Sequence, residues 1–379
     1  MKKNKVIKFF TESNKAFTLI SILLGFIIGG LILWFSGFNP FTAYAVIFKG
    51  IFSKPSYISY TIIRSTPLIL TGLSVAFAFR TGLFNIGAEG QYIVGSAAAA
   101  LAGYYIQLPA VLLIPLVILI AIISSGIWGA IAGLLKSKYG IHEVISTIML
   151  NWIALYLQNY ITKIKGFAKP NSEASKFIQD AANITFFDNW KHSDKGMAWL
   201  NNHHFAKEIL RTPANFGIII AILCALLVWI ILNKTTLGYK LRAVGFNKEA
   251  ARYAGINIEK YMIISMFISG SLAGLAGALH VMGVSHNITN LSAMEGYGFD
   301  GIAVALIGSN AAFGTIWSGF LFGALKYGGT KIQPFMGAPS EIISIMIGTI
   351  VFFISMPNII KISLNKILLK NKKRGEDVK

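Results

Sequence analysis

The sequence predicts an all-α membrane protein of about ten transmembrane helices, with Gly-rich broken or re-entrant elements and both termini cytoplasmic. Three observations carry that expectation. Hydrophobic residues make up 55% of the 379 residues and charged residues only 13%, against roughly 25% charged in an ordinary soluble domain, and the mean hydropathy is +0.63. Apolar runs of about 20 residues, long enough to cross a bilayer, recur along the chain. Of 34 Lys and Arg, 5 lie in the first 16 positions, 6 in residues 234–260 and 7 in the last 19, beside those runs. Such clustering follows the positive-inside rule and accounts for the net charge of +19 without a nucleic-acid partner.

The basic segment 1–16 precedes an apolar run at 17–35 that lacks the short core and small-residue cleavage site of a signal peptide, so it reads as an anchor. An external connection at 36–57 is expected to carry an interfacial turn of helix through 41–52. The second span, 58–79, returns the chain inside at Arg80. Residues 80–100, RTGLFNIGAEGQYIVGSAAAA, break the apolar pattern: Gly82, Gly87, Gly90 and Gly95 alternate with Asn85, Glu89 and Gln91. Irregular backbone at membrane depth is tolerated only where it is buried in protein or lines a cavity, and transporters place such segments beside the substrate. Asn85, Glu89, Gln91 and Ser96 are therefore candidate pathway residues. A carboxylate at mid-depth costs about 2.5–3.5 kcal/mol or more unless paired or hydrated. Glu89 thus either lines a polar path or is locked by neighbouring amides near the cytoplasmic rim.

A span at 108–135 ends inside at Lys136 and Lys138, and 140–161 crosses outward with His142 and Glu143 at its cytoplasmic mouth. Sequence neighbours point about 100° apart on a helix, and no further ligand follows at metal spacing. The pair therefore reads as a cap or partner contact, and no metal or cofactor is expected. Residues 163–213, with eight Lys or Arg, form a long external loop that is an interfacial cap or a platform for an outside partner. His192, His203 and His204 within it read as solvated. Cys224, the one cysteine, lies in the next span, 215–232, so no intrachain disulfide forms.

The cytoplasmic loop 233–260 contains GYKLRAVGFNKEAARYAG. Asn247 is placed to cap the amides of Glu249 and Ala250, Glu249 lies in the first turn where negative charge is favoured, and Gly255 suits a left-handed exit. A helix of about two turns is marginal alone in water. Asn247, Lys248, Glu249, Ala250, Ala251, Arg252, Tyr253, Ala254 and Gly255 are therefore expected to dock on a partner. Ala250, Ala251 and Ala254 form a low side, Tyr253 a knob and Arg252 a charge.

In the span 261–283, Gly270, Gly274 and Gly277 with Ala273 make a small-xxx-small packing face, and His280 reads as a satisfied bundle histidine. YGFDGIAVALIG then sets Asp300, a further pathway candidate, on a short run at 298–310 that is partly re-entrant. After a Gly-rich break a longer run reaches about 333, and 339–356 is the last span of a transmembrane domain covering 17–358. A basic cytoplasmic tail, 359–379, follows. The polar Gly-rich element in each half forms a loose internal repeat.

FRTGLFNIGAEGQYIVGS, HEVISTIMLNWIA, GYKLRAVGFNKEAARYAGI and GFDGIAVALIG, in this order and spacing, resemble the permease subunits of ATP-driven (ABC) importers of the branched-chain amino acid, ribose and nucleoside group. The likeness covers nearly the whole chain. The long external loop and NIGAEGQ are most similar to the nucleoside branch. The resemblance implies a multi-pass, non-enzymatic transport subunit of the cell membrane without a cofactor. It also implies a cytoplasmic ABC ATPase, a second permease subunit and an extracytoplasmic substrate-binding lipoprotein of the BMP family as partners, and it gives residues 247–255 the role of coupling helix. Family members often carry a proline in the second Gly-rich break, where this chain has Gly308-Ser309-Asn310-Ala311-Ala312-Phe313-Gly314, so a softer bend is expected there.

No G-x-x-x-x-G-K-[ST] phosphate loop occurs, so ATP hydrolysis must come from another chain. Asn85, Gln91 and Ser96 suit a neutral polar solute such as a nucleoside or ribose. A zwitterionic branched-chain amino acid would want paired charges of both signs, which these elements do not obviously supply. An ion-coupled carrier using Glu89 and Asp300 would instead transport without an ATPase. A lipid-modifying enzyme would need a nucleophile with a base, and none is found.

Overall fold

The computed structural model describes residues 14–354 and 356. Residues 1–13 of the predicted N-terminal segment and the predicted tail 359–379 lie outside the described residues. Among the described residues regular structure is helical, with three isolated β-bridges and no strand. Among the described residues five helices are long and apolar enough to span a membrane, or six if one bent pair counts as a single span. The other segments counted toward ten are shorter, or carry the Gly, Ala and polar residues that lower their hydropathy.

The chain divides into two compact units. In one, residues 1–50 and 325–379, helix α1 (Asn14–Phe35) turns through 118° into α2 (Pro40–Phe52). Gly37 takes φ +86° at the corner, and the Asn39 side chain accepts the amide of Phe41 at 2.9 Å. Helix α2 thus occupies the stretch where an interfacial helix is expected. The Tyr44 hydroxyl donates to the Phe26 carbonyl at 2.5 Å. The last helix among the described residues, α17 (Ser340–Ile354), packs along α1.

The other unit, residues 51–324, is built on α3 (Pro55–Arg80), α4 (Ala88–Tyr105), α5 (Ala110–Tyr139) and α6 (Glu143–Thr162). Short helices α7 (Asp188–Lys191), α8 (Asp194–Asn202) and α9 (His204–Leu210) follow, then α10 (Gly217–Lys234), α11 (Thr236–Phe246), α12 (Lys248–Tyr253) and α13 (Ile258–His280). Helix α13 runs on into a π-helical turn, Val281–Ser285, before α14 (Tyr297–Ile307) and α15 (Ala312–Gly329); α16 (Ile332–Met336) precedes α17 in the first unit.

Helix α13 lies against α3, α4 and α5. In a bilayer there is little hydrophobic drive between helices, so close backbone approach and polar contacts must hold them. The predicted small-residue face supplies that approach: a Cβ at Gly95 of α4 would collide with the backbone of Gly274 on α13. Ser74 on α3 and Ser269 on α13 are bonded through their hydroxyls at 3.0 Å. Helices α5 and α10 turn large apolar side chains outward, among them Val111, Leu119, Leu223 and Leu227, the surface that lipid would solvate.

The second Gly-rich break departs from expectation. Ser309 and Asn310 both take left-handed conformations, φ 54° and 53°, and the Ser318 hydroxyl donates back to the Val304 carbonyl at 2.6 Å. Helices α14 and α15 therefore form a tight hairpin, not a softer bend. Two consecutive left-handed residues make the reversal without proline, and Arg80 Nε donates to the Asn310 carbonyl at 2.9 Å.

Residues 163–213 form an ordered cap. Gln179 Nε2 donates to the carbonyls of Tyr104 and Ile106 at 2.9 and 3.0 Å, fastening the cap to the end of α4. Burial opposes ionisation of Asp188, but the Lys191 ammonium at 2.7 Å holds its carboxyl below the usual range and pins α7. The start of α4 lies at the other end of the bundle, where Gly82 meets Gly245 of α11. The cap and the α11–α12 loop thus occupy opposite ends of this unit.

Candidate translocation elements and the loop helix

The polar residues of the first Gly-rich break are buried and bonded to one another. Asn85 Nδ2 donates to Gln91 Oε1 at 2.8 Å and to Ser269 Oγ at 2.7 Å, and Gln91 Nε2 returns a bond to Asn85 Oδ1 at 3.2 Å. The reciprocal amide pair joins the break to α13. Asn151 on α6, which the sequence reading passed over, accepts the Gly90 amide at 2.8 Å and donates to the Ile86 carbonyl at 3.1 Å. Ser96 bonds back to the Tyr92 carbonyl at 3.0 Å. In this conformation Asn85, Gln91 and Ser96 present no free amide or hydroxyl to a solute.

Glu89 is fully buried. Its Oε1 accepts the amide of Gly296 at 2.7 Å and its Oε2 that of Gly298 at 2.6 Å. Those amides belong to the first turn of α14, and Glu89 itself lies in the first turn of α4. The carboxylate therefore sits between two helix N-termini, whose exposed amides and dipoles favour negative charge. Those bonds counter part of the cost of burying the charge, to which nearby Asp300 adds. Gly298 packs directly on the Glu89 backbone, leaving no room for a Cβ. Asp300, also in the first turn of α14, lies within electrostatic reach of Glu89.

Beyond this lock lies a group that the sequence reading did not assemble. The rings of Tyr92 and Tyr297 are 5.2 Å apart, those of His280 and Tyr297 5.3 Å, and those of Tyr92 and His280 6.2 Å. The Tyr92 hydroxyl donates to Glu295 Oε2 at 3.2 Å. Arg64, an exposed cation on α3, is an electrostatic neighbour of both His280 and Tyr297. The signal for Arg64 was present in the sequence, since it interrupts an apolar span. The rings come from three distant segments and have no common motif.

At the end of the bundle away from the cap, His142 Nδ1 accepts the Val144 amide at 3.3 Å as the cap of α6. Glu143 pairs with Lys136. In the neighbouring loop, Asn247 Oδ1 accepts the Ala250 amide at 3.0 Å, and Gly255 exits α12 at φ +74°. Arg252 reaches Glu249 at 3.2 Å on the exposed side.

The expected low alanine side needs correction at one position. Ala251 is only 3% exposed and packs with Ala78, Leu83, Val244 and Met262 of its own chain. Helix α12 is held by this intramolecular contact. Its free face comprises Ala250, Tyr253 and Ala254, with Lys248 and Arg252 beside them. Phe246, at the end of α11 and unremarked in the sequence reading, is 86% exposed and Tyr253 92%.

The family model for the branched-chain amino acid transport system permease component matches residues 57–355. The chain is 40% identical to the guanosine ABC transporter permease protein NupP of Bacillus subtilis (strain 168) over 94% of its own length and 96% of that protein. It is 36% identical to the nucleoside ABC transporter permease protein NupB of Lactococcus lactis subsp. cremoris (strain MG1363), over 92% of each chain. To NupQ, a second guanosine ABC transporter permease protein of the same Bacillus strain, it is 27% identical over 69% of this chain and 78% of that one. No solved structure matches it.

Proposed function

The chain belongs to the branched-chain amino acid transport system permease family, and on that premise we propose that it is one of two permease subunits of an ABC importer for nucleosides. It is a multi-pass protein of the cell membrane. The observation that carries the substrate is its 40% and 36% identity to guanosine and nucleoside permeases over more than nine-tenths of its length. Its likeness to both NupP and NupQ supports a second, related permease as partner. A separate cytoplasmic ATPase supplies the energy, an extracytoplasmic binding lipoprotein delivers the solute, and this chain catalyses no reaction.

In this reading about ten membrane-crossing or re-entrant elements lie within 17–358. Residues 1–16, 233–260 and 359–379 face the cytoplasm, and the cap 163–213 faces outside. The coupling helix 247–255 enters a cleft of the ATPase. Two large aromatic side chains left in water are costly and mark a contact surface, so Phe246 and Tyr253 are the anchors. Because Ala251 pins α12 to residues of α3 and α13, a push on the anchors moves those helices as a body. Asn85, Gln91, Ser96 and Glu89 support the path from behind, and Asp300 lies at its edge.

Arg64 and Glu295 supply charges of both signs near Tyr297, so residue chemistry alone admits a zwitterionic amino acid as well as a neutral solute. The test is uptake of labelled guanosine, uridine, ribose and leucine by cells with and without this chain, the other subunits being present. Deletion should abolish nucleoside uptake and spare the rest. Loss of ribose or leucine uptake with nucleoside uptake intact would overturn the substrate, and transport without the ATPase would overturn the importer.

A further inference from the structure

Three features of α3 and its neighbours bear on where the solute is held. Arg64 stands nine residues inside a 26-residue apolar helix, roughly 14 Å from its start at the usual rise, and its side chain is exposed. An arginine at that depth faces a polar passage or a partner subunit along one, because lipid would cost it several kcal/mol. Thr71, near the middle of the same helix, donates to the Tyr297 carbonyl at 2.9 Å. Tyr297 therefore lies near the middle of the span, and it opens α14 directly after a stretch of irregular backbone. Broken elements at the midplane are where transporters of several folds hold their solutes.

The chemistry of the group is specific. Tyr92 is buried and serves as backing, while Tyr297 and His280 are half-buried and Glu295 is exposed. A half-buried ring framed by a second ring and an imidazole offers a stacking surface for a flat heteroaromatic. A carboxylate at its margin is a hydrogen-bond acceptor suited to vicinal hydroxyls. Glu295 is oriented by the Tyr92 hydroxyl, and the Glu89 bonds to Gly296 and Gly298 hold the backbone on both sides of Tyr297.

We propose that Tyr297, His280 and Glu295, backed by Tyr92 and flanked by Arg64, form the nucleoside-binding site of this subunit, with the base stacked on Tyr297 and the ribose hydroxyls donating to Glu295. The inference rests on the nucleoside reading above and adds the place and the contacts. Stacking of a base on one aromatic side chain is worth about 1–3 kcal/mol, so removing the Tyr297 ring should lower uptake about tenfold or more.

The experiment has two arms on the assembled importer. In the first, labelled guanosine uptake is compared for wild type, Tyr297→Ala, Tyr297→Phe and Glu295→Gln, with ATPase co-purification and basal ATP hydrolysis measured on each. The expected result is a loss of about tenfold or more for Tyr297→Ala, a clear loss for Glu295→Gln and near-normal uptake for Tyr297→Phe, all three remaining assembled. In the second, wild-type importer is irradiated with 8-azidoadenosine, and the adduct is mapped. It should fall on the peptides carrying Tyr92, His280 or Tyr297, and excess guanosine but not ribose or leucine should protect them. This arm decides the matter if Tyr297→Ala fails to assemble. An adduct elsewhere in this chain, or full guanosine uptake by assembled Tyr297→Ala, overturns the site while the nucleoside reading stands. Failure of the wild-type importer to take up any nucleoside overturns both.

Discussion

The carboxylate of Glu89 closes on the backbone of Gly298, whose amide it accepts at 2.6 Å, while its other oxygen takes the Gly296 amide at 2.7 Å. One side chain in the first turn of α4 thereby caps α14, more than 200 residues later. An unpaired buried amide costs about 1–3 kcal/mol. Glu89→Ala, which strands two of them, should lower the thermal midpoint of the purified protein by the largest amount in a series. Glu89→Gln should fall between, since it keeps one acceptor oxygen but turns an NH2 group toward an amide donor. Equal midpoints for wild type and Glu89→Ala would remove the lock from the account.

Close approach of α4 and α13 gives a second expectation. Leucine at Gly95 has no space, because its Cβ would run into the backbone of Gly274. Overpacking of a tight interface typically costs about 1–3 kcal/mol and more where backbone must move. Gly95→Leu should therefore reduce the yield of folded, monodisperse protein in detergent. A substitution on the outward face of α5, Ile123→Ala, should leave it unchanged. Comparable yields for the two variants would show that the contact is dispensable.

Local chemistry explains what the sequence disclosed. The Asn247 cap, the Gly255 exit and the small-residue face of α13 each depend on residues within a few positions of one another, and all three are present, the cap on the Ala250 amide and not on that of Glu249. Glu89 was legible as a buried anomaly, and capture by amides was one of its two expected outcomes. The partners were not legible, because the amides it binds belong to a distant segment and any residue carries an amide. Tyr92, His280 and Tyr297 met for the same reason without warning. Arg64 is visible as a charge inside an apolar run. The hairpin at Ser309 and Asn310 was hidden because neither residue demands a left-handed conformation.

Ala251 and Tyr253 separate two effects that the sequence merged. Ala251→Glu would place a carboxylate among Ala78, Leu83, Val244 and Met262, where an unpaired charge is strongly destabilising. It should disorder the loop and increase its proteolysis even in the isolated chain. Tyr253→Ala and Phe246→Ala remove exposed rings, so the isolated chain should keep its stability within about 0.5 kcal/mol of wild type. Their deficit should appear only in co-purification with the ATPase and in transport. Normal retention of the ATPase by the double variant Phe246→Ala/Tyr253→Ala would exclude these rings as anchors.

The orientation of the bundle can be tested on its two ends. The cap and the α11–α12 loop lie at opposite ends of the 51–324 unit, the one fastened at Tyr104 and the other abutting Gly82. Whatever the number of spans, a single orientation must therefore place them on different sides of the membrane. The cluster of 6 basic residues in 234–260 predicts that the α12 end is cytoplasmic, since retention of Lys and Arg near span ends sets orientation. The cap carries eight Lys or Arg in 163–213, but longer loops obey the charge rule less closely. In a Cys224→Ser background, cysteine at exposed Asn189 should react with an impermeant thiol reagent on intact cells. Cysteine at exposed Lys248 should react only after the membrane is opened. The reverse pattern would put Phe246 and Tyr253 outside, beyond reach of any cytoplasmic ATPase, and the proposed coupling would fail with it. Labelling of both sites on intact cells would contradict the opposite-ends geometry itself.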